Sequence, residues 1–230
     1  MHPEHELTAA ERQQPGERRM ETAWWHSYRP YGAYAAFYLF WRRLKPRVRG
    51  WLSRDSAWLL YKLARWGPGR GVVLEIGSAW GRSTIVFAAA SKRAGRDKVV
   101  AVDPHTGDIA LVKDGEEPFN SYQEFSTNIN RFHMADWVQP IVLKSDDAAK
   151  QWDGRPIRLL YIDGWHTYEA VKADIDNWLP YVVSGGVILF DDYNEKKYPE
   201  VKRCIDDQMT ADKVQLPLKV FKRKVWTLKL

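Results

Sequence analysis

Acidic residues stand directly after three apolar segments of the 230-residue chain. Asp103 follows VVAV, Asp163 follows IRLLYI, and Asp191 and Asp192 follow GGVILF. If these segments are parallel strands, their carboxyl ends meet at one edge of the sheet, where sheets of this kind bind ligands. The pattern therefore predicts one carboxylate-rich site.

The last three of these acids have the chemistry of a metal site. Carboxylates that converge repel one another by several kcal/mol unless a cation or a proton joins them. Oxygen-only ligation by Asp163, Asp191 and Asp192 suits a hard ion such as Mg²⁺. His166 follows Asp163 by three residues and is close enough to serve the same site. The alternatives are unrelated loop caps for the acids and a structural hydrogen bond for His166.

A glycine-containing turn, LEIGSAWGRST, ends the first apolar segment. Gly77 and Gly81 permit a tight turn and a close approach of the backbone to a ligand. The Gly-x-Gly-x-x-Gly pattern of dinucleotide sites is absent. Asp103, 22 residues beyond Gly81, could accept hydrogen bonds from a ribose, and Asp146 could meet the amino group of an adenine. The alternatives are a structural turn and capping roles for the two aspartates.

The elements that position these residues follow from periodicity and turn residues. Strands are predicted at 72–76, 99–103, 140–144, 157–163 and 185–191, with a final pair within 214–228; helices are predicted at 81–94, 122–132, 146–151, 169–178 and 200–209, and a long loop at 104–118. Strands that alternate with helices indicate a doubly wound, parallel α/β sheet.

The N-terminal part of the chain differs in composition from the rest. Residues 1–66 carry 12 Lys+Arg, 6 Asp+Glu and six of the 12 Trp, whereas residues 67–230 carry 23 residues of each charge. The net charge of +6 therefore belongs to a basic, aromatic-rich extension, 1–66, ahead of a neutral domain, 67–230. Helices are predicted from Pro30 to Pro46 and over 55–66, the second capped by Ser53 or Asp55.

Segment 24–51 of this extension has three interpretations. It could be a helical cap that packs on the domain and forms an acceptor pocket or a dimer interface. It could lie on a membrane surface, because Trp and Tyr beside Arg favour the headgroup region. It could bind nucleic acid, which the neutral domain disfavours. Its apolar run, 31–41, is too short to span a bilayer as a helix.

Composition also excludes whole classes of protein. A 45% hydrophobic content excludes disorder throughout, and a single cysteine, Cys204, excludes a disulfide framework and a cysteine-based zinc site. The lone cysteine and the polar N-terminus, which lacks a signal-peptide pattern, favour a cytoplasmic protein. The alternative is a location at the inner face of the membrane.

In chain order, LEIGSAWGRST, VVAVDPHTGD, KSDDA, LLYIDGWHTYEAVKAD and GGVILFDDY resemble the motifs of class I S-adenosylmethionine (SAM)-dependent methyltransferases, over residues 68–209. More narrowly, the DG-x-HTYE block followed by GG and DD resembles the metal-dependent O-methyltransferases of sugars and natural products, including the macrocin-type, cephalosporin-hydroxylase-like and mycobacterial polysaccharide groups. The resemblance implies a Rossmann-like, mostly parallel seven-stranded sheet, here with an N-terminal helical extension.

The resemblance also implies roles for single residues. The SAM-binding residues would be Glu75, Gly77, Ser78, Gly81, Ser83, Asp103 and Asp146. Asp163, Asp191 and Asp192 would hold a divalent ion, expected to be Mg²⁺. Many relatives carry an acid directly before the histidine of this block, where this chain has Trp165. That departure leaves His166, beside Asp163, as the candidate catalytic base.

The expected function is SAM- and metal-dependent methyl transfer to a hydroxyl of a sugar, a polysaccharide precursor or a natural product. A bound cation would lower the pKa of that hydroxyl, and His166 would accept its proton. The expected partners are a small-molecule or glycan acceptor and a second copy of the chain. The alternative is a non-catalytic SAM-binding or membrane-associated accessory protein of a biosynthetic complex.

Overall fold

The computed structural model describes residues 31–106 and 120–230. The helices are α1 (Tyr31–Leu44), α2 (Arg54–Trp66), α3 (Arg82–Ala94), α4 (Tyr122–Arg131), α5 (Ser145–Lys150), α6 (Tyr168–Trp178) and α7 (Pro199–Gln208). The strands are β1 (Val72–Ile76), β2 (Val99–Val102), β3 (Val138–Ile141), β4 (Ile157–Ile162), β5 (Val182–Phe190), β6 (Lys219–Phe221) and β7 (Lys224–Leu228).

The seven strands form one sheet in the order β3-β2-β1-β4-β5-β7-β6. The first five are parallel, and β7 runs antiparallel to both of its neighbours. The order in which the chain adds strands to the sheet reverses at β1, because β2 lies on one side of it and β4 lies on the other. Sheets of this kind bind ligands at the carboxyl ends of the strands around such a point, so we expect a ligand there. The predicted Rossmann-like, mostly parallel seven-stranded fold is confirmed.

Each face of the sheet is covered by helices, which explains why the central strands are apolar without alternation. Every residue of β1, β2, β4 and β7 is buried. One core contains side chains of α1 to α4 with one face of the sheet, and the other contains side chains of α5 to α7 with the opposite face.

The two N-terminal helices pack directly on the sheet domain. Phe37, Trp41 and Leu44 of α1 are at most 3% exposed and share a core with α2, α3 and the sheet. The Ser53 side chain caps α2 by accepting a hydrogen bond from Ser56 N at 3.2 Å, as one of the two predicted caps. In the described part of the extension, the aromatic residues are therefore largely core residues.

Two predicted strands were misplaced at their ends. β3 ends at Ile141 rather than at 144, and it accommodates Pro140 because it is an edge strand, which has a free side for a residue without an N–H group. β5 begins at Val182 and runs through the glycine pair that was expected to open it. The final strand pair predicted within 214–228 is confirmed as β6 and β7, and Val214 makes an isolated bridge to Lys229.

Some predictions fall on residues outside the described ranges. These are the helix start at Pro30, the first residues of segment 24–51, and most of the loop at 104–118. In the described ranges, no helix has the length and apolar character needed to cross a membrane.

Candidate active site

A cavity of about 640 Å³ opens at the carboxyl ends of β1, β2, β4 and β5. A volume of this size suits a small-molecule site. Its walls include the turn after β1, the residues that follow β2, β4 and β5, the first turn of α5, and the connector between α1 and α2. Most of the acids singled out in the sequence therefore share one cavity.

The turn from β1 into α3 requires a glycine where it meets β4. Gly77 has a φ of +85°, and a Cβ there would lie 2.1 Å from the carbonyl oxygen of Asp163. Only a residue without a side chain lets the two strand ends approach this closely. The next residue, Ser78, lines the cavity with a buried hydroxyl that has no hydrogen-bond partner among the described residues.

Asp103 is held rigidly at the cavity wall by two backbone groups. Its Oδ2 accepts a hydrogen bond from Ala79 N at 2.8 Å, and its Oδ1 accepts one from His105 N at 2.7 Å. A carboxylate has about four acceptor sites, so ligand hydroxyls can still donate to it. The predicted ribose contact and the alternative turn role are therefore compatible at this residue.

Asp146 also lines the cavity, from the first turn of α5. Its Oδ1 accepts a hydrogen bond from Asn177 Nδ2 at 2.8 Å. No side chain caps α5, which removes the capping alternative for this aspartate. Nearby, Ser145 donates to Asp174, and burial raises the pKa of that carboxyl to about 7.

Two predicted cofactor residues support the turn from behind and do not line the cavity. Glu75 is fully buried in β1, where its Oε2 accepts a hydrogen bond from the Thr84 hydroxyl at 2.5 Å and its Oε1 has no partner among the described residues. Burial raises the pKa of Glu75 to about 7. Gly81 has a φ of +86°, and a Cβ there would lie 3.0 Å from Phe125 Cδ2. Ser83 does line the cavity.

Asp163, His166 and Asp192 form a cluster at the ends of β4 and β5. Each residue offers one atom that could coordinate a metal ion, and these three atoms lie within 4.8 Å of one another. His166 Nε2 lies 3.0 Å from Asp192 Oδ2, and its ring stacks on Tyr198 with 3.9 Å between centroids. Asp192 adopts a left-handed backbone conformation, with a φ of +53°, and its buried Oδ1 accepts no hydrogen bond from the described residues. Such strain in a non-glycine residue is typical of functional sites.

Asp191, the third predicted metal ligand, is engaged elsewhere. The ammonium of Lys224, which is 2% exposed, donates to Asp191 Oδ2. The Tyr161 hydroxyl lies 2.8 Å from the same oxygen and 2.9 Å from Asp163 Oδ2. Asp191 Oδ1 accepts a hydrogen bond from Asp192 N at 2.8 Å. Asp191 Oδ2 thus accepts from two groups and Oδ1 from one, which leaves less free acceptor capacity than at Asp163 or Asp192. The metal role of Asp191 stays a prediction, and the three residues whose ligand atoms lie close together are Asp163, His166 and Asp192.

The pKa values of Asp163 and Asp191 shift in opposite directions because only Asp191 has a cation in contact. Burial favours protonation of Asp191, but the Lys224 ammonium outweighs it and holds the pKa of Asp191 below its ordinary value. Burial and the nearby Asp191 carboxylate raise the pKa of Asp163 well above its ordinary value. Asp163 is therefore the carboxylate that lacks a compensating positive charge.

The sequence matches a known protein family over its central part. The model of a family described as a methyltransferase domain matches residues 74–193, more than half of the chain. The chain belongs to this methyltransferase family. The matched range runs from within β1 through β5 and ends just past the clustered acids at the carboxyl end of β5. The prediction of a methyltransferase from the order of the motifs is confirmed.

Curated relatives share part of the chain. It is 28% identical to the uncharacterized protein y4gI of Sinorhizobium fredii over 152 residues, and 28% identical to the uncharacterized protein R132 of Acanthamoeba polyphaga mimivirus over 117 residues. These matches cover 64% and 50% of this chain, but 16% and 49% of the relatives. The chain thus spans half or less of the length of these relatives.

Solved structures show the same fold at low identity. The calicheamicin methyltransferase CalS11 is 16% identical with a TM-score of 0.59, and the match covers 99% of both chains. The O-methyltransferase TomG of Streptomyces achromogenes, solved with SAM, is 18% identical with a TM-score of 0.57, over 78% of this chain and 81% of that one.

Sequence reasoning missed three residues that shape the site. Lys224 lies within the basic run KRK at 222–224, and nothing in that run distinguishes the inward-facing residue from its exposed neighbours. Trp51 lines the cavity from the connector between α1 and α2. Arg82 donates to the carbonyl oxygens of that connector. A lysine inside a predicted strand was the one usable signal.

Proposed function

We propose that the chain is a SAM-dependent O-methyltransferase that uses a divalent metal ion to activate a hydroxyl of a sugar or a natural product. One observation carries the proposal. The turn after β1 and the cluster of Asp163, His166 and Asp192 line the same cavity. A methyl donor on the turn would thus face an acceptor hydroxyl at the cluster, and such alignment lowers the barrier to transfer.

Four cavity-lining residues are proposed to bind SAM. Asp103 would accept hydrogen bonds from the hydroxyls of the SAM ribose, and Asp146 would accept one from the amino group of the adenine. Ser78 has the unpartnered hydroxyl that a carboxylate of the methionine moiety could use. Gly77 would allow backbone contact with the ligand. Glu75 and Gly81 would act indirectly, by shaping the turn.

The cluster fits a divalent ion with two carboxylate ligands. Asp163 has no basic side chain in contact among the described residues, and Asp192 Oδ1 accepts no hydrogen bond from them, although Arg223 Nε lies 3.5 Å from it as an ion-pair partner. Mg²⁺ is commonly held by one or two carboxylates, with water and substrate oxygens completing its shell. When bound, the ion would lower the pKa of a coordinated hydroxyl. Asp191 keeps Lys224 as its own countercharge.

His166 is proposed to accept the proton of the acceptor hydroxyl. Asp192 Oδ2 lies 3.0 Å from its Nε2, and the stacked Tyr198 ring fixes the plane of the imidazole. An imidazole near a carboxylate is a competent base at neutral pH. A competing role for His166 is that of third metal ligand. Metal affinity separates the two roles, because only a ligand contributes directly to it.

The proposed acceptor class rests on one structural neighbour and on the sequence motifs. CalS11 is described as a TDP-rhamnose 3′-O-methyltransferase of calicheamicin biosynthesis, and the motifs of this chain resemble those of sugar and natural-product enzymes. The acceptor proposed for this chain is accordingly a small hydroxylated molecule or a glycan precursor. A macromolecular nucleic acid acceptor is not proposed.

The test is methyl transfer from isotopically labelled SAM to a panel of sugar nucleotides, glycosides and phenols. Protein stripped with a chelator is assayed alone, with Mg²⁺ and with Mn²⁺. We expect metal-stimulated transfer that falls at least about a hundredfold in Asp163→Asn and Asp192→Asn. Asp147→Asn removes an exposed carboxylate of α5 as the matched control and should leave transfer unchanged. Full activity of either cluster variant in chelator would refute the metal proposal.

The His166→Gln variant distinguishes the two possible roles of His166, catalytic base and metal ligand. As a base, His166 affects turnover, so the variant should lose turnover while its Mg²⁺ and SAM affinities, measured by calorimetry, stay within about twofold. As a ligand, its loss should weaken metal binding by about tenfold or more. SAM binding by the wild-type chain without transfer to any acceptor would favour the accessory-protein alternative.

Peripheral membrane contact by α1 remains a proposal for the same chain. Leu39 is 63% exposed, and Tyr34 and Tyr38 are each 37% exposed on that helix. Arg42 and Arg43 follow in its last turn. Flotation with anionic phosphatidylglycerol vesicles should be reduced by Leu39→Ser combined with Tyr38→Ser. Failure of the wild-type chain to float would remove the proposal.

A further inference from the structure

Two tryptophans leave large apolar surfaces uncovered inside the cavity. Trp51 is 67% exposed and Trp165 is 50% exposed, and both line the walls. An indole presents an area of about 150–250 Å² when buried, so leaving two of them open in one cavity forgoes substantial stabilisation. Exposed apolar surface that is concentrated at a concave site is typical of ligand contact.

The connector that carries Trp51 is held in place by Arg82, at the start of the helix that follows the proposed SAM-binding turn. Arg82, the first residue of α3, donates from Nε to Val48 O at 2.8 Å, from Nη2 to Lys45 O at 3.2 Å, and from Nη1 to Gly50 O. These bonds fix the connector that carries Trp51. The indole then leans on Trp80, with 5.3 Å between ring centroids.

Trp80, which contacts Trp51, is in turn in contact with a cation. The guanidinium of Arg49 lies over the Trp80 ring, 4.3 Å from its centroid. Trp80 is 6% exposed, so its ring is enclosed between Trp51, Arg49 and the protein core. Trp51 therefore rests on a supported layer, and the uncovered part of its indole is available to the cavity.

Trp165 comes from a different part of the lining, the loop after β4, beside the proposed site of proton removal. It lies between Gly164 and His166 in the loop after β4, one residue away from each. A ring bound against Trp165 would consequently have its edge hydroxyls near His166 and Asp163. This is the position in which the sequence resemblance leads one to expect an acid, and an exposed indole occupies it instead.

We infer that Trp51 and Trp165 form an acceptor subsite for a hydroxylated six-membered ring, bound with its apolar face against the indoles. The inference rests on the proposed function, because it identifies the ring as the methyl acceptor. The shared chemistry is a flat or chair-shaped ring with apolar C–H or π surface on its face and hydroxyls at its edge. A pyranose and a phenol both satisfy it.

Ligand binding without turnover tests the subsite separately from catalysis. The full chain, saturated with S-adenosylhomocysteine, is titrated with TDP-rhamnose, phenyl β-glucoside and catechol, and ring contact is read by saturation-transfer NMR. We expect transfer to the ring protons of at least one probe. Trp51→Ala and Trp165→Ala should each weaken that binding about tenfold, and Trp→Phe at either position should retain most of it.

Matched controls distinguish a subsite from a general loss of structure. S-adenosylhomocysteine affinity should stay within about twofold in all four variants, and Leu39→Ala, which removes a similarly exposed side chain outside the cavity, should change neither affinity. The inference is overturned if the alanine variants bind the probes as tightly as the wild type. It is also overturned if no probe binds the wild-type chain.

The two proposals can fail independently. A probe that binds through the two tryptophans but is never methylated, with or without Mg²⁺, would contradict the proposed function and leave the subsite standing. Methyl transfer with an unchanged acceptor KM in both alanine variants would contradict the subsite and leave the function standing. TDP-rhamnose and phenyl β-glucoside on one side, and catechol on the other, separate a sugar acceptor from a phenolic one.

Discussion

Replacing Glu75 by glutamine should stabilise the protein above neutral pH. Glu75 is fully buried in the central strand β1, and only one of its carboxyl oxygens has a hydrogen-bond partner among the described residues. Burial raises its pKa from an ordinary value of 4.5 to about 7. Each pKa unit corresponds to about 1.4 kcal/mol, so ionising this group costs the folded state about 3 kcal/mol.

The sign of the pH dependence follows from that raised pKa. Between pH 4.5 and 7 the folded state holds the Glu75 proton while the unfolded state releases it. The free energy of unfolding contributed by this group is therefore full below pH 4.5, and it is lost as the pH rises through 7. The glutamine side chain of the Glu75→Gln variant does not titrate. The stability advantage of this variant over the wild type should therefore grow by about 2–3 kcal/mol between pH 5 and pH 8.

Urea denaturation of the SAM-free protein at pH 5, 6, 7 and 8 measures this gain. Taking the difference between variant and wild type cancels the titration of all other groups that the substitution leaves unchanged. Glu124→Gln, at a partly exposed position, controls for loss of a carboxylate and should change stability by less than about 0.5 kcal/mol. A Glu75→Gln difference that is the same at pH 5 and pH 8 would show that the buried carboxyl is not the source of the pH dependence.

Three further substitutions test single contacts. Lys224→Met should lower the free energy of unfolding by about 3–5 kcal/mol at pH 8, because it leaves Asp191 buried without its countercharge; adding Asp191→Asn should recover most of the loss in the same urea assay. Gly77→Ala should destabilise the protein by about 2 kcal/mol or more in thermal melts, because its Cβ would meet the Asp163 carbonyl at 2.1 Å. Arg82→Met should raise the acceptor KM with little change in SAM affinity, and equal changes in both would contradict a positioning role for Arg82.

The fold could be predicted because its signals are local. Five apolar runs are each followed by a turn, and helical spacing lies between them, which is enough to specify a doubly wound sheet. The errors occur where a local signal is ambiguous. Pro140 was assigned as the start of a strand, although an edge strand tolerates proline within it, so β3 was placed two residues too late.

The sequence could predict which strand ends meet at the site, but not the direction of each side chain there. Strand ends that share one sheet edge bring Asp103, Asp163 and Asp192 into one cavity, as expected from their positions. Side-chain direction at a strand end is not encoded in spacing, so the sequence could not separate Asp191 from Asp192. They are adjacent in the chain, yet one faces Lys224 and the other faces His166.

Three convergent carboxylates require positive charge, but this requirement does not specify the source of that charge. In this structure an internal lysine, contributed by β7 from the far end of the chain, supplies part of it. Lys224 neutralises Asp191 without any ligand. All three carboxylates line the cavity. Arg223 Nε lies 3.5 Å from Asp192 Oδ1, so among the described residues Asp163 is the one of the three that has no basic side chain in contact. A cation that enters the cavity would therefore be required most at Asp163, where its other neighbours would be Asp192 and an imidazole able to accept a proton.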